Sequence, residues 1–432
     1  MSDTHAQTVA YVRDTVLPQK APPALESGMI KWMRTNLFSG WFNAILTLIT
    51  LYCIYLVLSV FIPWVVNGVW TASDIRECRD LMQGSGGGCF AVIADRWQQL
   101  IFGFQYPAEY YWRPTLAFVL LLISVAPVLF YKVFPRQMLV LTALYPFIAY
   151  YLIWGGTILI PVMALLGFVA GYLAYSQLVN RSFAAGMAGG IAAAFLAWWL
   201  GGFVSAAMPG FLALTEVASR DMGGFMLNLI LGTVCVSLSL PLGILLALGR
   251  QSDMPVVKGI CVVFIEFVRG VPLITLLFVA NVVLAYFLPP GTTFDLILRV
   301  IIMITMFSAA YIAEVIRGGL AALPKGQYEG AESLGLDYPQ SMRLIILPQA
   351  LKISIPGIVN VAVGLFKDTT LVSVISMFDL VGMIRGPILS STDWSGVYWE
   401  LFGFAALLFF IVCYGISQYS QWLERQLATD HR

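Results

Sequence analysis

The sequence predicts an all-α polytopic membrane protein, and three observations carry that prediction. Apolar residues make up 59% of the 432 positions and charged residues only 11%, for a mean hydropathy of +0.85. The apolar residues fall in long runs, most of them near the ~20 residues that cross about 30 Å of hydrocarbon as a helix. The basic residues collect in the short connections, as expected of a multi-pass chain: Lys132 and Arg136 after one run, Arg181 after another, and Arg317, Lys325, Arg343 and Lys352 around a third connection. A net charge of +1 suggests no nucleic-acid partner. The two histidines, His5 and His431, stand at the ends of the chain, which leaves none for a proton relay or a metal site within the membrane.

Residues 1–38 read as a polar cytoplasmic leader carrying Lys20, Lys31 and Arg34 ahead of the first span. A cleavable signal peptide is not expected, because no apolar stretch precedes Trp41. A first span over 41–66 leads into a long polar stretch, 71–113, read as an external loop, within which 90–104 has the pattern of an amphipathic helix on the membrane surface. Further spans are expected near 114–130, 138–154, 156–174 and 183–204, so that 39–222 forms an N-terminal multi-helix extension. From 223 to 420 five more spans are expected, near 223–248, 272–288, 297–316, 353–377 and 401–419, with 262–268 along the interface and 421–432 as a cytoplasmic tail. The loop 317–348 is the most basic connection of this half and is therefore placed in the cytoplasm. Five spans then put the C-terminus inside, and an N-terminus inside requires an odd number of earlier spans. Five of these give about ten in total; three would give about eight.

Four of the six cysteines, Cys53, Cys235, Cys261 and Cys413, lie in apolar runs and read as packing residues. Cys78 and Cys89 flank LMQGSGGG in the polar loop, whose glycines would let the chain close on itself. In an oxidising compartment they are a candidate disulfide, bonded and free states both fitting the sequence.

The stretch 329–348, EGAESLGLDYPQSMRLIILP, is a polar island between apolar runs and describes two short helices with a hinge. Pro324 suits a first turn, Lys325 and Glu329 stand at i,i+4, and Gly335 ends the first helix where a left-handed cap costs least. Asp337 reads as the next N-cap, with Gln340 three residues on completing a capping box. Ala331, Leu334, Met342 and Ile345 offer an apolar side for docking. The spacing of Glu329, Ala331, Gly335, Ile345, Leu347 and Pro348 resembles the EAA loop of ABC-importer permeases, with Gly330 standing where that family usually has Ala.

Other ordered motifs in 223–419 strengthen the resemblance to permeases of polar amino-acid ABC importers. They are GGFMLNLILGT, PLGILLALGRQS, FIEFVRGVPLI around Glu266, Arg269, Gly270 and Pro272, SAAYIAEVIRGGLAALPKG, and LFKDTTLVSVIS, where Thr370 stands in place of a commoner Ser. The longer N-terminal half is further similar to the larger permeases of general L-amino acid importers. The resemblance implies a five-helix type I importer core in a bacterial inner membrane. It also implies a second homologous permease subunit, two ATPase subunits gripping the loop, a periplasmic amino-acid-binding protein, and an amino-acid substrate. The chain has no G-x-x-x-x-G-K-[ST] phosphate cradle of its own, so ATP would be used by partner subunits and no bond chemistry is expected here.

Glu314 and Arg317, like Glu266 and Arg269, stand three apart on one helix face and are read first as pairs fixing helix ends. Lys367 and Asp368 fall in an expected span. With Thr369, Thr370 and Ser373 they form a polar face that fits either a route for a zwitterionic amino acid or a hydrogen-bonded helix contact. The competing functional class is a carrier driven by an ion gradient, which predicts internal repeats and broken helices with ion ligands at the midplane. No convincing repeat is present.

Overall fold

The computed structural model describes residues 28–283 and 294–428. His5, Lys20 and His431, most of the leader, the end of the tail and the end of the span expected at 272–288 lie outside the described residues. Every regular element among them is helical, with only isolated β-bridges besides.

By contacts the chain divides into two compact units, 1–68 with 82–88, and 69–81 with 89–432. In the first, α1 (Gly28–Asn36) precedes α2 (Trp41–Val66), an apolar helix none of whose residues is buried. The return segment is held to the end of α2 by Gly88 N–H donating to the Trp64 carbonyl (2.8 Å) and Asn67 Nδ2 to that of Ser85 (3.3 Å).

The second unit holds α3 (Ile75–Met82) up to Leu81, then α4 (Ala91–Phe102), followed by four apolar helices, α5 (Trp112–Leu129), α6 (Leu139–Trp154), α7 (Leu159–Leu178) and α8 (Phe183–Ala207). Arg113, buried at the start of α5, donates from Nη1 to the Thr215 carbonyl (2.8 Å) and lies over the Tyr110 ring, which fastens the linker after α8. Then come α9 (Gly224–Gln251), α10 (Pro255–Gly270), α11 (Leu273–Phe278) and α12 (Leu296–Ala321). Two short helices, α13 (Lys325–Ser333) and α14 (Tyr338–Ser341), lead to α15 (Leu347–Asp368), α16 (Leu380–Met383) and α17 (Tyr398–Ala428).

Nine helical stretches among the described residues are long and apolar enough to cross a membrane, and a tenth arises if α10 and the segment from Leu273 to Val283 count as one bent span. That pair turns by 103°. The cause is Pro272, which drives Val271 into an extended conformation (φ −105°, ψ 133°) and stops α10. Buried Leu227, Leu231, Ile304, Leu365 and Val372 join α9, α12 and α15 with the turn that follows it in one apolar core.

The polar stretch after α2 is packed rather than loose. Gly103 and Gly224 both have positive φ, and a Cβ on Gly103 would come within 2.7 Å of the Gly223 Cα, so α4 can seat on the start of α9 only with glycine there. Cys78 and Cys89 are joined by a disulfide, and the Cys89 N–H donates to the Glu400 carboxylate (2.9 Å) at the start of α17. Trp394 Nε1 donates to Asp95 (2.7 Å), and Arg96 bridges Asp95 and Asp393. Closing this loop contributes on the order of 2–3 kcal/mol. Because both cysteines are buried, thiol protection alone does not diagnose the bond. Digestion without reduction should release the two cysteine peptides as one linked species; recovery of both as separately alkylated peptides contradicts it.

Candidate functional site

Three groups of residues gather at the two ends of the spans formed by α9, α12 and α15. The first is the stretch after α12. Pro324 precedes α13 in an extended conformation, and the helix ends in a Schellman arrangement: Leu336 N–H donates to the Ala331 carbonyl (3.2 Å) and Gly335 N–H to that of Glu332 (2.9 Å), with Gly335 at φ +70°. Asp337 caps α14, its Oδ1 accepting from Gln340 N–H (2.9 Å) while Gln340 Oε1 accepts from Asp337 N–H (3.3 Å). A π turn, Met342–Ile346, then joins α14 to α15 through Leu347 and Pro348, and Gln349 Nε2 ties back to Gln327 Oε1 (2.9 Å).

The apolar side expected from sequence is divided by this geometry. Ala331 is buried on α13, and buried Met342 and half-buried Ile345 pack inward with Ile346 on Ala247, Ile265, Ile312 and Ile316. Leu334 stays outward, 73% exposed, joined by Tyr338 at 58% and Leu344 at 63%. Leu334 falls outside the expected side because it is the C-cap of α13, where the helix gives way to the Schellman turn. Glu329 is exposed on α13.

The second group lies beside that seat. Glu314 Oε1 accepts from Arg317 Nε (2.8 Å) and Nη2 (2.5 Å). Its Oε2 is 3.3 Å from Arg250 Nη1 and 3.7 Å from Arg269 Nη1. Glu266 does not pair with Arg269 as its spacing suggests; it meets Arg250 Nη1 at 2.8 Å. Arg250 at the end of α9 therefore completes a group that the sequence reading left without it. Its only advance signal is its place just past an apolar run.

The third group is at the opposite end. Asn228 Nδ2 donates to Thr369 Oγ1 (2.9 Å) and Asp379 Oδ2 (3.2 Å), and its Oδ1 accepts from Leu380 N–H (3.1 Å). Asp379 caps α16, accepting from Gly382 N–H (2.9 Å) and Val381 N–H (3.3 Å). Asn228, Thr369 and Asp379 are fully buried. Asp379, between the spans ending at Ile375 and beginning at Tyr398, has its carboxyl pushed up to about 6 by burial, against the donations of Gly382, Asn228 and Val381. The signal for it was an Asp immediately before an apolar turn.

Of the polar face expected around Asp368, Thr369 belongs to this cluster. The Thr370 and Ser373 hydroxyls donate to carbonyls one turn back, those of Lys367 and Thr370. Asp368 is half-buried, and its carboxylate forms no hydrogen bond or salt bridge with a described residue.

Comparison with known proteins places this arrangement. The family described as binding-protein-dependent transport system inner membrane component matches residues 239–426. The glutamate/glutamine/aspartate/asparagine transport system permease protein BztC of Rhodobacter capsulatus is 50% identical over 443 residues, covering 100% of both chains. The inner membrane amino-acid ABC transporter permease protein YhdY of Escherichia coli is 37% identical, covering 92% of this chain and 93% of its own. The probable glutamine ABC transporter permease protein GlnP of Bacillus subtilis is 32% identical, over 46% of this chain and 90% of its own. The chain belongs to the family of binding-protein-dependent transport system inner membrane components, the permease subunits of ABC importers.

Proposed function

We propose that this chain is the membrane-spanning subunit of an ATP-driven importer that moves L-amino acids across a bacterial inner membrane. The observation that carries the proposal is the element at 324–348. It is made stiff by a Schellman cap and a capping box, seated on the ends of α9, α10 and α12, and presents Leu334, Tyr338 and Leu344 outward, each left more than half exposed by the described residues. Its role is to dock a separate ATPase. The family assignment gives the ion-gradient alternative no support. The names of the relatives favour acidic and amide amino acids as substrates.

The partners in this reading are two ATPase subunits, a second permease of similar core and a periplasmic binding protein. The loop end faces the cytoplasm, in keeping with its basic residues, and so do both termini. Residues 223–420 are the translocating core and 39–222 the extension. Asp368, half-buried and with no described residue bonded to its carboxylate, is the side chain we assign to the substrate route.

Reconstitution with candidate ATPase and binding-protein subunits in sealed vesicles tests the proposal. Uptake of glutamate or glutamine should require ATP on the loop side and survive collapse of ion gradients. Uptake that persists without the ATPase and disappears with the gradient rejects it.

A further inference from the structure

The Glu314 cluster is more than a fastening of one helix end. Its five charges come from three helices: Arg250 from α9, Glu266 and Arg269 from α10, Glu314 and Arg317 from α12. The apolar seat under the docking loop uses the same turns of the same helices: Ala247 three residues before Arg250, Ile265 next to Glu266, and Ile312 and Ile316 on either side of Glu314. Any movement of the loop on its seat therefore acts on the ion pairs.

The two oxygens of Glu314 are not equivalent. Oε1 is held closely by Arg317 of its own helix. Oε2 is buried and makes no hydrogen bond, although guanidinium nitrogens from two other helices stand 3.3 and 3.7 Å away. Arg269 Nε is likewise buried without a hydrogen-bond acceptor, its guanidinium lying over the Tyr311 ring at 5.5 Å. Arg250, by contrast, has Glu266 as a close second partner. The contacts within α12 and between α9 and α10 are thus tight, while the contacts that reach Glu314 from α9 and α10 are attractive but incompletely made. A short approach of α10 toward α12 would let Arg269 engage Oε2 fully, and Arg250 could stay with Glu266.

We propose that Glu314 is a positioning residue for energy coupling: its loose Oε2 contacts key α10 to the seat of the docking loop, tightening and loosening as the loop moves and so passing that movement to the bent span α10–α11. The inference rests on the importer reading. It needs the charge on Glu314, not only its shape, because a neutral amide has no comparable attraction for two guanidinium groups.

The experiment uses the complete importer in sealed vesicles and measures amino-acid uptake and ATP hydrolysis in parallel for wild type, Glu314→Gln, Arg269→Gln and the double variant. Glu314→Gln is expected to assemble, to hydrolyse ATP within about twofold of wild type, and to import about tenfold less substrate per ATP, within the usual range of coupling between sites. Arg269→Gln should lower the same ratio, and the double variant should be no worse than the more severe single one, since both remove one contact. An unchanged uptake-to-ATP ratio in both single variants overturns the proposal, as do single effects that multiply in the double variant. Failure of both single variants to assemble also overturns it, making the cluster a structural fastening. A wild-type complex whose uptake does not depend on ATP would instead overturn the importer reading.

Discussion

Gly335→Val should insert in the membrane at wild-type abundance and lose most ATP-driven uptake. A Cβ on Gly335 would meet nothing within 4 Å, so the substitution costs nothing in collisions. The cost is in the backbone: at φ +70° an L residue pays about 1–2 kcal/mol, and a β-branched one sits at the upper end. That is too little to unfold a protein held by many packed spans, yet a preference of about 1.4 kcal/mol shifts a conformational equilibrium roughly tenfold. The relief open to the chain is to abandon the Schellman cap, which swings α13 against α14 and breaks up the outward face of Leu334, Tyr338 and Leu344. Leu344→Asp, which leaves the cap intact and spoils that face directly, should give the same loss of ATPase co-purification. Gly335→Ala should be milder. Wild-type uptake and co-purification by the valine variant would show that the cap does not set the docking geometry.

Asp379→Ala should have the largest effect on folding. It leaves the Gly382 and Val381 amides and one Asn228 donor without an acceptor in a fully buried site, at about 1–3 kcal/mol for each group. The expected result is a marked fall in yield and in the thermal midpoint in detergent. Asp379→Asn removes the buried charge but keeps only one acceptor oxygen, turning its NH2 either to Gly382 N–H or to Val381 N–H and the Asn228 amide, so its fall should be smaller than that of the alanine variant. The pair also predicts a pH dependence. Because burial raises this carboxyl to about 6, its protonated form is the one the folded state prefers. Its stabilising contribution is therefore complete below the ordinary carboxylate range near 4 and is lost as pH rises through about 6. The difference in thermal midpoint between wild type and Asp379→Asn should shift in favour of wild type on going from pH 7.5 to 5. A constant difference across that range would mean the carboxyl titrates normally.

The membrane-spanning helices were legible because a run of apolar residues of sufficient length has few other solutions in a bilayer. The geometry of the loop at 324–348 was legible because its glycine, capping and proline positions act within a few residues of one another. The charge cluster was not: spacing of three made Glu266 and Arg269 look like partners, whereas helix packing delivered Glu266 to Arg250 and Arg269 to Glu314. Asp379 was passed over for a related reason. It lies just beyond the span expected to end at 377, and its burial comes from the start of α9 and from Asn228, neither of which is near it in sequence. The widening of the backbone into a π turn at Met342–Ile346 is announced by no residue of that stretch.

The same π turn leaves the chain from Tyr338 to Ile375 running as a single span of 38 residues. At a rise of ~1.5 Å per residue this is a lever roughly 55 Å long. Tyr338 and Leu344 ride on one arm, and Thr369, bonded to Asn228, rides on the other. Pivoted near the first end, a tilt of about 5° carries the far tip by roughly 5 Å at that length, more than the reach of the Asn228–Thr369 hydrogen bond. A stroke delivered by an ATPase on one side of the membrane would thus be felt as a broken or remade polar contact on the other, with no relay of intervening parts.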